Sequence, residues 1–207
     1  PAYSHLYLCI AGELAAVICI HDPLRREARD AVAALHACGI GKVVMMTGDN
    51  RQTAQAVARE VGVDAVYAEV LPEDKAAFIR SEKAAGHTVI MVGDGVNDSP
   101  ALSEADAGVA ISTGAAIARE IADITIASED LFELVTLRRL SQALMARIHR
   151  NYRFIVGFNL SLILLGVAGL LPPTTSALLH NMSTLGISLK SMTDLGPELP
   201  SPTPAER

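Results

Sequence analysis

The sequence has 207 residues, half of them hydrophobic, with a formal net charge of −6 at pH 7. This length suits one sizeable domain and perhaps a small second element, and the hydrophobic share is high for a purely soluble domain. The acidic balance argues against nucleic acid as a partner, and three cysteines without a C-x-x-C pair (Cys9, Cys19 and Cys38) favour packed thiols over disulfides or a zinc site.

The first elements are a strand hairpin, a helix and a third strand. Two apolar runs separated by Gly12-Glu13 predict a hairpin within Tyr3–Ile20. Asp22 suits the N-cap of a helix over about Arg25–Ala37, and an apolar strand follows over Lys42–Met46.

The third strand ends in the string T-G-D, after which Arg51–Val61 has the apolar spacing of a helix. The hydroxyl of Thr47 and the backbone N–H of Gly48 would suit a phosphoryl oxygen, because turn N–H groups form anion sites. The alternative is that Thr47, Asp49 and Asn50 only cap the helix.

Pro72 opens a helix predicted over about Glu73–Ala85, after a short strand at Val66–Ala68. Lys75 falls in the first turn of this helix, where a cation gains nothing from the helix dipole. Such a lysine is either solvated or held there to meet an anion.

The stretch Met91–Pro100 reads M-V-G-D-G-V-N-D-S-P and follows the apolar run Thr88–Val92. A strand that ends in a Gly-flanked carboxylate and leads into a helix is typical of a ligand-binding strand end in an α/β sheet. Asp94 and Asp98 would face one small volume, and paired carboxylates need a cation such as Mg²⁺. The alternative is an ordinary acidic turn.

The remaining elements before residue 130 continue the alternation of strand and helix, which predicts a mostly parallel sheet with helices on both faces. They are a helix at Pro100–Ala105, a strand at Ala107–Ile111, a helix at Thr113–Ala122 and a strand at Ile124–Ile126. Asp106 and Asp123 precede strands and are interpreted as turn residues.

The last third of the chain changes character. Leu131–Arg150 has the pattern of a long amphipathic helix whose basic residues include Arg147, and Tyr152–Leu171 is apolar enough to cross a membrane. Thr174–Met192 is a second candidate span with more polar residues. The alternative for both spans is a buried hairpin of a soluble protein. We therefore divide the chain into a partial phosphate-handling domain (1–130), a stalk helix (131–151), two transmembrane helices (152–193) and a disordered tail (194–207).

Four strings in order resemble one protein family. They are D-P-L-R (Asp22–Arg25), T-G-D (Thr47–Asp49), L-P-E-D-K (Leu71–Lys75) and G-D-G-V-N-D-S-P-A-L, which begins at Gly93. This set is similar to the P-type ATPases, ion pumps whose phosphorylation domain has the haloacid-dehalogenase-like fold, and the apolar tail resembles their heavy-metal-transporting branch. The resemblance covers most of the chain from Ile20 to Met192.

The resemblance implies an ATP-driven pump for a transition-metal cation that works through an aspartyl phosphate, with ATP as substrate and Mg²⁺ as cofactor. It assigns Mg²⁺ to Asp94 and Asp98, and catalysis to Thr47, Gly48, Asp49, Lys75, Asn97 and Asp98. The phosphorylated Asp belongs to a D-K-T-G-T string that these 207 residues lack. The chain would then be a C-terminal piece: the second half of the phosphorylation domain and the last two transmembrane helices, inactive in isolation.

The same resemblance implies a multi-pass protein, in the plasma membrane of a prokaryote, with its phosphorylation domain in the cytoplasm. Its partners would be lipid, a nucleotide-binding domain, an actuator domain and earlier transmembrane helices. Candidate ligands of the transported ion are Asn159, His180 and Ser183, with hydrogen bonding between helices as the alternative. Two other functions remain open: a soluble haloacid-dehalogenase-like phosphatase and a non-catalytic, membrane-anchored remnant.

Overall fold

The computed structural model describes residues 4–20, 23–94, 97–111, 120–127 and 130–195. These residues form two units that divide between Val135 and Thr136. The predicted N-cap Asp22, most of the predicted helix Thr113–Ala122 and the predicted disordered end from residue 196 onward lie outside the described residues.

A two-stranded antiparallel hairpin begins the first unit, as predicted. Strand β1 (Ser4–Ile10) pairs with β2 (Glu13–Ile20). The turn between them places Ala11 and Gly12 at positive φ, 53° and 87°, as two-residue hairpin turns require.

The cysteines only partly match the prediction of packed thiols. Cys38 is buried at the end of the first helix, whereas Cys9 and Cys19 are exposed on the hairpin, and no disulfide joins any of these three described residues.

Among the described residues before Phe132, five short strands in parallel pairs and four helices follow the hairpin. The strands are β3 (Val44–Met46), β4 (Ala65–Tyr67), β5 (Ile90–Gly93), β6 (Ala107–Ile111) and β7 (Ile124–Ile126). The helices are α1 (Ala28–Ala37), α2 (Arg51–Val61), α3 (Pro72–Ala84) and α4 (Ser99–Glu104). The predicted α/β alternation with parallel pairing is therefore confirmed.

The single parallel sheet that we expected is divided into two. Strand β3 pairs with β4, and β5, β6 and β7 form a separate sheet in that order. Among the described residues, β3 is hydrogen-bonded only to β4, and β5 only to β6, so no hydrogen bonds between strands connect the two sheets.

Three aspartates lie directly before a strand. Each accepts a backbone N–H from a residue at, or one before, the start of the neighbouring strand. The pairs are Asp64 with Val43 at 2.6 Å, Asp106 with Val89 at 2.8 Å and Asp123 with Gly108 at 2.8 Å. The hydrogen bond from Val89, with help from the Lys83 ammonium, lowers the pKa of the Asp106 carboxyl from its ordinary value of 3.8. The two predicted turn residues, Asp106 and Asp123, thus fix the register of the strand starts.

The core of the first unit is aliphatic. Ile79, Leu102 and Val109 are at most 2% exposed, and burial of each such side chain contributes about 1.5–3 kcal/mol. A Cβ on Gly108 would lie 2.7 Å from the carbonyl oxygen of Leu102, so α4 rests directly against the backbone of β6. This close approach fixes the second half of α4 against the start of β6.

Two long helices make up the described part of the second unit, and the first of them begins four residues before it. Helix α5 (Phe132–Val167) has 36 residues and joins the predicted stalk helix and the first predicted span without a break. It ends four residues before the predicted Leu171, where Gly169 takes a positive φ of 72°. Helix α6 (Pro173–Ser191) follows.

Arg147 links the two long helices by hydrogen bonds. Its side chain is buried, and its guanidinium donates to the carbonyl oxygens of Thr193 at 2.5 Å and Asp194 at 2.8 Å. Asn151, one turn further along α5, donates to Ser191 at 3.0 Å. Arg147, which the sequence placed only among the basic residues before the apolar span, is therefore a cap for the end of α6.

Within the part of the chain that the structure describes, no helix combines the length and the apolar character needed to cross a membrane. The predicted pair of transmembrane helices is therefore not confirmed. Arg153 and Asn159 interrupt the apolar part of α5, and His180, Asn181 and Lys190 interrupt α6.

Candidate functional site

The T-G-D loop (Thr47–Asp49) follows β3 and is held by its own side chains. The N–H of Thr47 donates to the carbonyl oxygen of Tyr67, which extends the pairing with β4 by one residue. The Thr47 hydroxyl donates to the Asp49 carboxylate at 2.8 Å and accepts the Asp49 N–H at 3.1 Å. Only Asn50 caps α2, by accepting the N–H of Thr53. Helix capping therefore does not account for Thr47 and Asp49.

The segment before α3 holds the T-G-D loop through backbone hydrogen bonds. Val70 donates its N–H to the carbonyl oxygen of Thr47 at 3.1 Å, and Glu69 donates to that of Asp49 at 2.9 Å. Glu69 adopts the left-handed conformation, with φ 58°, which is strained for a non-glycine residue. Gly48 is exposed and has open space around its Cα, so its backbone can be approached closely by a ligand.

Lys75 and Asp98 form a short ion pair that bridges two of the four strings. The Lys75 ammonium lies 2.6 Å from the Asp98 carboxylate, and the two side chains are only 15% and 14% exposed. Helix α3 begins at Pro72, and the Asp74 carboxylate accepts the N–H of Leu71 at its start. The solvated alternative for Lys75 is therefore wrong.

The segment that leads from β5 into α4 is folded around Gly93. A Cβ on Gly93 would lie 2.6 Å from a carboxylate oxygen of Asp98, so Gly93 is needed for Asp98 to fold over the strand end. Asp98 precedes α4 but makes no capping bond with its side chain, because its carboxylate faces Lys75. Asp94 is exposed and accepts the N–H of Asn97 at 3.3 Å.

These contacts form a continuous chain across the predicted catalytic residues. The T-G-D loop is bonded to the segment before α3, the first turn of α3 carries Lys75, and Lys75 pairs with Asp98 beside the end of β5. The arrangement places a cation and two carboxylates where parallel strands end, which suits the binding of a phosphoryl group with a metal ion. No group of three or more His, Cys, Asp or Glu residues that could hold a metal ion occurs among the described residues.

The three candidate ligands in the second unit lie together. His180 Nδ1 is 2.8 Å from the side-chain oxygen of Asn159, so α5 and α6 are hydrogen-bonded there. The hydroxyls of Ser183 and Thr184 both donate to the carbonyl oxygen of His180, at 2.8 and 3.0 Å. The predicted alternative of hydrogen bonding between helices is thus observed.

One contributor to the site, Glu69, was missed from the sequence. Glu69 carries no signal, because a left-handed non-glycine residue cannot be recognised from its neighbours.

Comparison with known proteins gives the family. The haloacid dehalogenase-like hydrolase family matches residues 3–106. Copper-transporting ATPase 2 of Rhizobium meliloti is 46% identical over 176 residues, which are 85% of this chain and 21% of that protein. The manganese-exporting P-type ATPase of Mycobacterium tuberculosis is 40% identical over 92% of this chain and 27% of its own length.

A solved zinc-transporting PIB-type ATPase, in its E2.Pi state, has a similar structure, with a TM-score of 0.80 and 29% identity over 92% of this chain and 31% of that one. The chain thus spans about a fifth to a third of the length of the proteins it matches. The chain belongs to the haloacid dehalogenase-like hydrolase family and is homologous, over most of its length, to heavy-metal P-type ATPases.

Proposed function

We propose that this chain is the C-terminal part of an ATP-driven pump for a transition-metal cation, and that residues 23–111 supply one wall of its phosphorylation site. The observation that carries the proposal is the Lys75–Asp98 pair at 2.6 Å. It joins the L-P-E-D-K string to the segment that contains Asp94, and a buried ion pair contributes little net stability compared with apolar packing, so a role at the site is the better reason for its presence.

The residues present fit Mg²⁺ as part of its ligand set. Asp94 offers an exposed carboxylate, and Mg²⁺ prefers oxygen ligands while it keeps several waters and contacts a phosphate. Bound there, Mg²⁺ would shield the negative charge of the phosphoryl oxygens. Asp98 would act mainly by orienting Lys75, because one of its oxygens already faces the ammonium.

The phosphoryl group would be held by Lys75, by the N–H of Gly48 and by the hydroxyl of Thr47. A positioned cation and preorganised donors stabilise charge that develops on phosphoryl oxygens. Asp49 now accepts the Thr47 hydroxyl at 2.8 Å, so it would set the rotamer of Thr47 before the phosphoryl group arrives.

The aspartate that receives the phosphoryl group would come from another part of the pump. The division into two parallel sheets supports this assignment, because β3 and β5 each have one edge without a strand partner among the described residues. Ile90 and Val92 on β5 are 45% and 38% exposed, which is unusual for such an apolar strand. A strand that carries the acceptor aspartate would pair with these edges and cover these side chains.

Helices α5 and α6 would belong to the membrane part of the same pump, with the first unit in the cytoplasm of a prokaryote. Leu160, Leu164 and Leu185 are 54–60% exposed, and lipid or earlier transmembrane helices would cover them. Neighbouring helices would also shelter the polar residues that keep α5 and α6 from crossing a membrane unaided. A nucleotide-binding domain and an actuator domain complete the proposed set of partners.

The test uses the complete pump and its Asp94→Asn variant. We expect Asp94→Asn to abolish Mg²⁺-dependent labelling of the pump by γ-labelled ATP while nucleotide binding persists. Asp30→Asn, at an exposed aspartate in the first turn of α1, is the matched control and should be labelled normally.

Two results would contradict the proposal. One is normal labelling of the Asp94→Asn pump. The other is acid-stable label on an aspartate of the isolated 207-residue chain incubated with ATP and Mg²⁺, since this chain should lack the acceptor.

A further inference from the structure

The segment between β4 and α3 binds the T-G-D loop in an irregular pattern. Thr47 donates its N–H to the carbonyl oxygen of Tyr67 at 3.0 Å, and its own carbonyl oxygen accepts the N–H of Val70 at 3.1 Å. In the evenly spaced ladder of a regular parallel pair these two partners would lie two residues apart, whereas Tyr67 and Val70 lie three apart. The segment therefore contains a bulge, with one residue more than regular pairing requires.

Glu69 accommodates the extra residue by adopting the left-handed backbone conformation, with φ 58°. Glycine and asparagine adopt this conformation much more readily than glutamate does. The N–H of Glu69 bonds to a second carbonyl oxygen of the loop, that of Asp49, at 2.9 Å. The residue is exposed, and its carboxylate makes no hydrogen bond or ion pair with the residues that the structure describes. The backbone of Glu69, and not its side chain, thus contacts the loop.

The hydrogen bond from Val70 fixes the direction of the Gly48 N–H. In a trans peptide the C=O of one residue and the N–H of the next point in opposite directions, and the described part of the chain has no cis peptide bond. Because the C=O of Thr47 points at Val70, the N–H of Gly48 points away from the segment before α3. Gly48 is exposed, so an anion at the strand end can reach this N–H.

The Gly48 N–H is also the donor that the T-G-D loop leaves available. Of the three N–H groups in the loop, that of Thr47 donates to Tyr67 and that of Asp49 donates to the Thr47 hydroxyl. No acceptor for the Gly48 N–H lies among the described residues. A ligand could therefore accept this hydrogen without displacing any protein contact of the described residues.

We propose that Glu69, through its left-handed backbone, is a positioning residue that directs the Gly48 N–H at the phosphoryl group. This inference rests on the proposed pump function. Donors that are fixed in direction before charge develops stabilise that charge best, because they need not reorganise during the reaction. If Glu69 returned to negative φ, the bulge would be lost, and the bonds from Glu69 and Val70 to the loop could not both persist. The Gly48 peptide would then be free to rotate.

The first experiment sorts substitutions of Glu69 by their tolerance of positive φ. Glu69→Gly and Glu69→Asn tolerate it, whereas Glu69→Val resists it, because a β-branched residue is an outlier there. Glu13→Val is the matched control, since Glu13 is exposed at the start of β2 and has no positive φ.

The readout is amide hydrogen exchange of the full chain in detergent micelles, resolved residue by residue by NMR. We expect the amide of Val70 to exchange about tenfold faster in Glu69→Val than in the parent chain, and no faster in Glu69→Gly or Glu13→Val. The amide of Ile79, which is buried in α3, should be unaffected in all variants, as expected of a local change.

The second experiment measures the rate at which γ-labelled ATP labels the complete pump in a single turnover at saturating nucleotide. Glu69→Val should slow labelling by about 10–100-fold without weakening nucleotide binding, because a misdirected donor stabilises the phosphoryl charge poorly. Glu69→Gly and Glu69→Asn should restore the rate to within about threefold of the parent, because both keep the left-handed backbone. Glu69→Gln, which removes only the charge, should behave like the parent.

Three results would overturn the inference: unchanged exchange of the Val70 amide in Glu69→Val, undiminished labelling of that variant, or an equal loss of labelling in Glu69→Gly. If exchange at Ile79 shows that Glu69→Val is unfolded, Glu69→Ala decides, since alanine also disfavours positive φ but adds no bulk, and it must speed exchange at Val70. The exchange experiment contains no nucleotide, so it is independent of phosphorylation. A pump that needs Asp94 for labelling but tolerates Glu69→Val would refute this inference alone, whereas normal labelling of Asp94→Asn would refute the proposed function.

Discussion

Replacing Lys75 by Met tests whether the Lys75–Asp98 pair holds the site together. Methionine keeps most of the length and apolar surface of the lysine stem but removes the charge. Asp98 would then be left as a carboxylate that is only 14% exposed and has lost the ammonium 2.6 Å away. We expect the first unit to be destabilised, since α3 and α4 meet at this pair.

The magnitude follows from the burial of the pair. Exposed ion pairs contribute about 0.2–1 kcal/mol, whereas removal of one partner from a fully buried pair costs about 3–5 kcal/mol. With side chains 15% and 14% exposed, the pair lies between these limits, and we expect a loss of about 2 kcal/mol. This corresponds to about a 30-fold faster exchange of amides that open with the unit.

The assay is hydrogen exchange of the amides in α4, measured by mass spectrometry on the full chain. Lys42→Met is the matched control, because Lys42 is 49% exposed and lies 3.5 Å from Glu82, so it should cost less than about 1 kcal/mol. The double variant Lys75→Met/Asp98→Asn should recover at least half of the loss, as expected of directly coupled residues. Exchange in Lys75→Met that is no faster than in Lys42→Met would refute the reasoning.

Two further predictions concern the strand ends. Gly93→Ala should destabilise the first unit by about 1–3 kcal/mol in a urea titration, because the added Cβ would lie 2.6 Å from an Asp98 carboxylate oxygen. Gly48→Ala is the control and should cost less than about 1 kcal/mol, because the nearest atom to its Cβ would be 3.9 Å away. Equal losses of stability in the two variants would contradict this prediction. Hydrogen bonding from Val89 lowers the folded pKa of Asp106 from 3.8, so its stabilisation is complete above pH 3.8 and is lost as the pH falls through the lower, folded value. Asp106→Asn should therefore be less stable at pH 7 and lose less stability between pH 5 and pH 2, and an unchanged acid slope would count against this role.

The sheet elements were predicted well where polar residues bound a short apolar run. Strands β6 and β7 have the predicted bounds, because Asp106 and Asp123 stop the apolar pattern one residue before each strand. The single helix α5 was predicted as two segments. No glycine or proline separates the stalk from the apolar part, so the change in composition at Tyr152 marks a change of environment and not a break in the backbone.

The candidate site was predicted as a set of residues but not as a set of pairs. Asp94 and Asp98 look alike in sequence, since both follow the same strand and both suit a cation. Only the coordinates show that Asp98 faces Lys75 and that Gly93 makes room for it. The spacing of two carboxylates along a chain does not reveal which one a distant lysine will reach, because that depends on how α3 packs against α4.

The aspartates that precede strands separate two duties between opposite edges of the sheets. Asp64, Asp106 and Asp123 secure alignment at the edge where strands begin, whereas the predicted catalytic side chains lie near the ends where strands finish. Substitutions among the predicted catalytic residues therefore leave these three alignment contacts in place, even where they cost stability at the Lys75–Asp98 pair. One set of carboxylates can thus hold the three parallel ladders in register while the residues at the other end of the sheets vary.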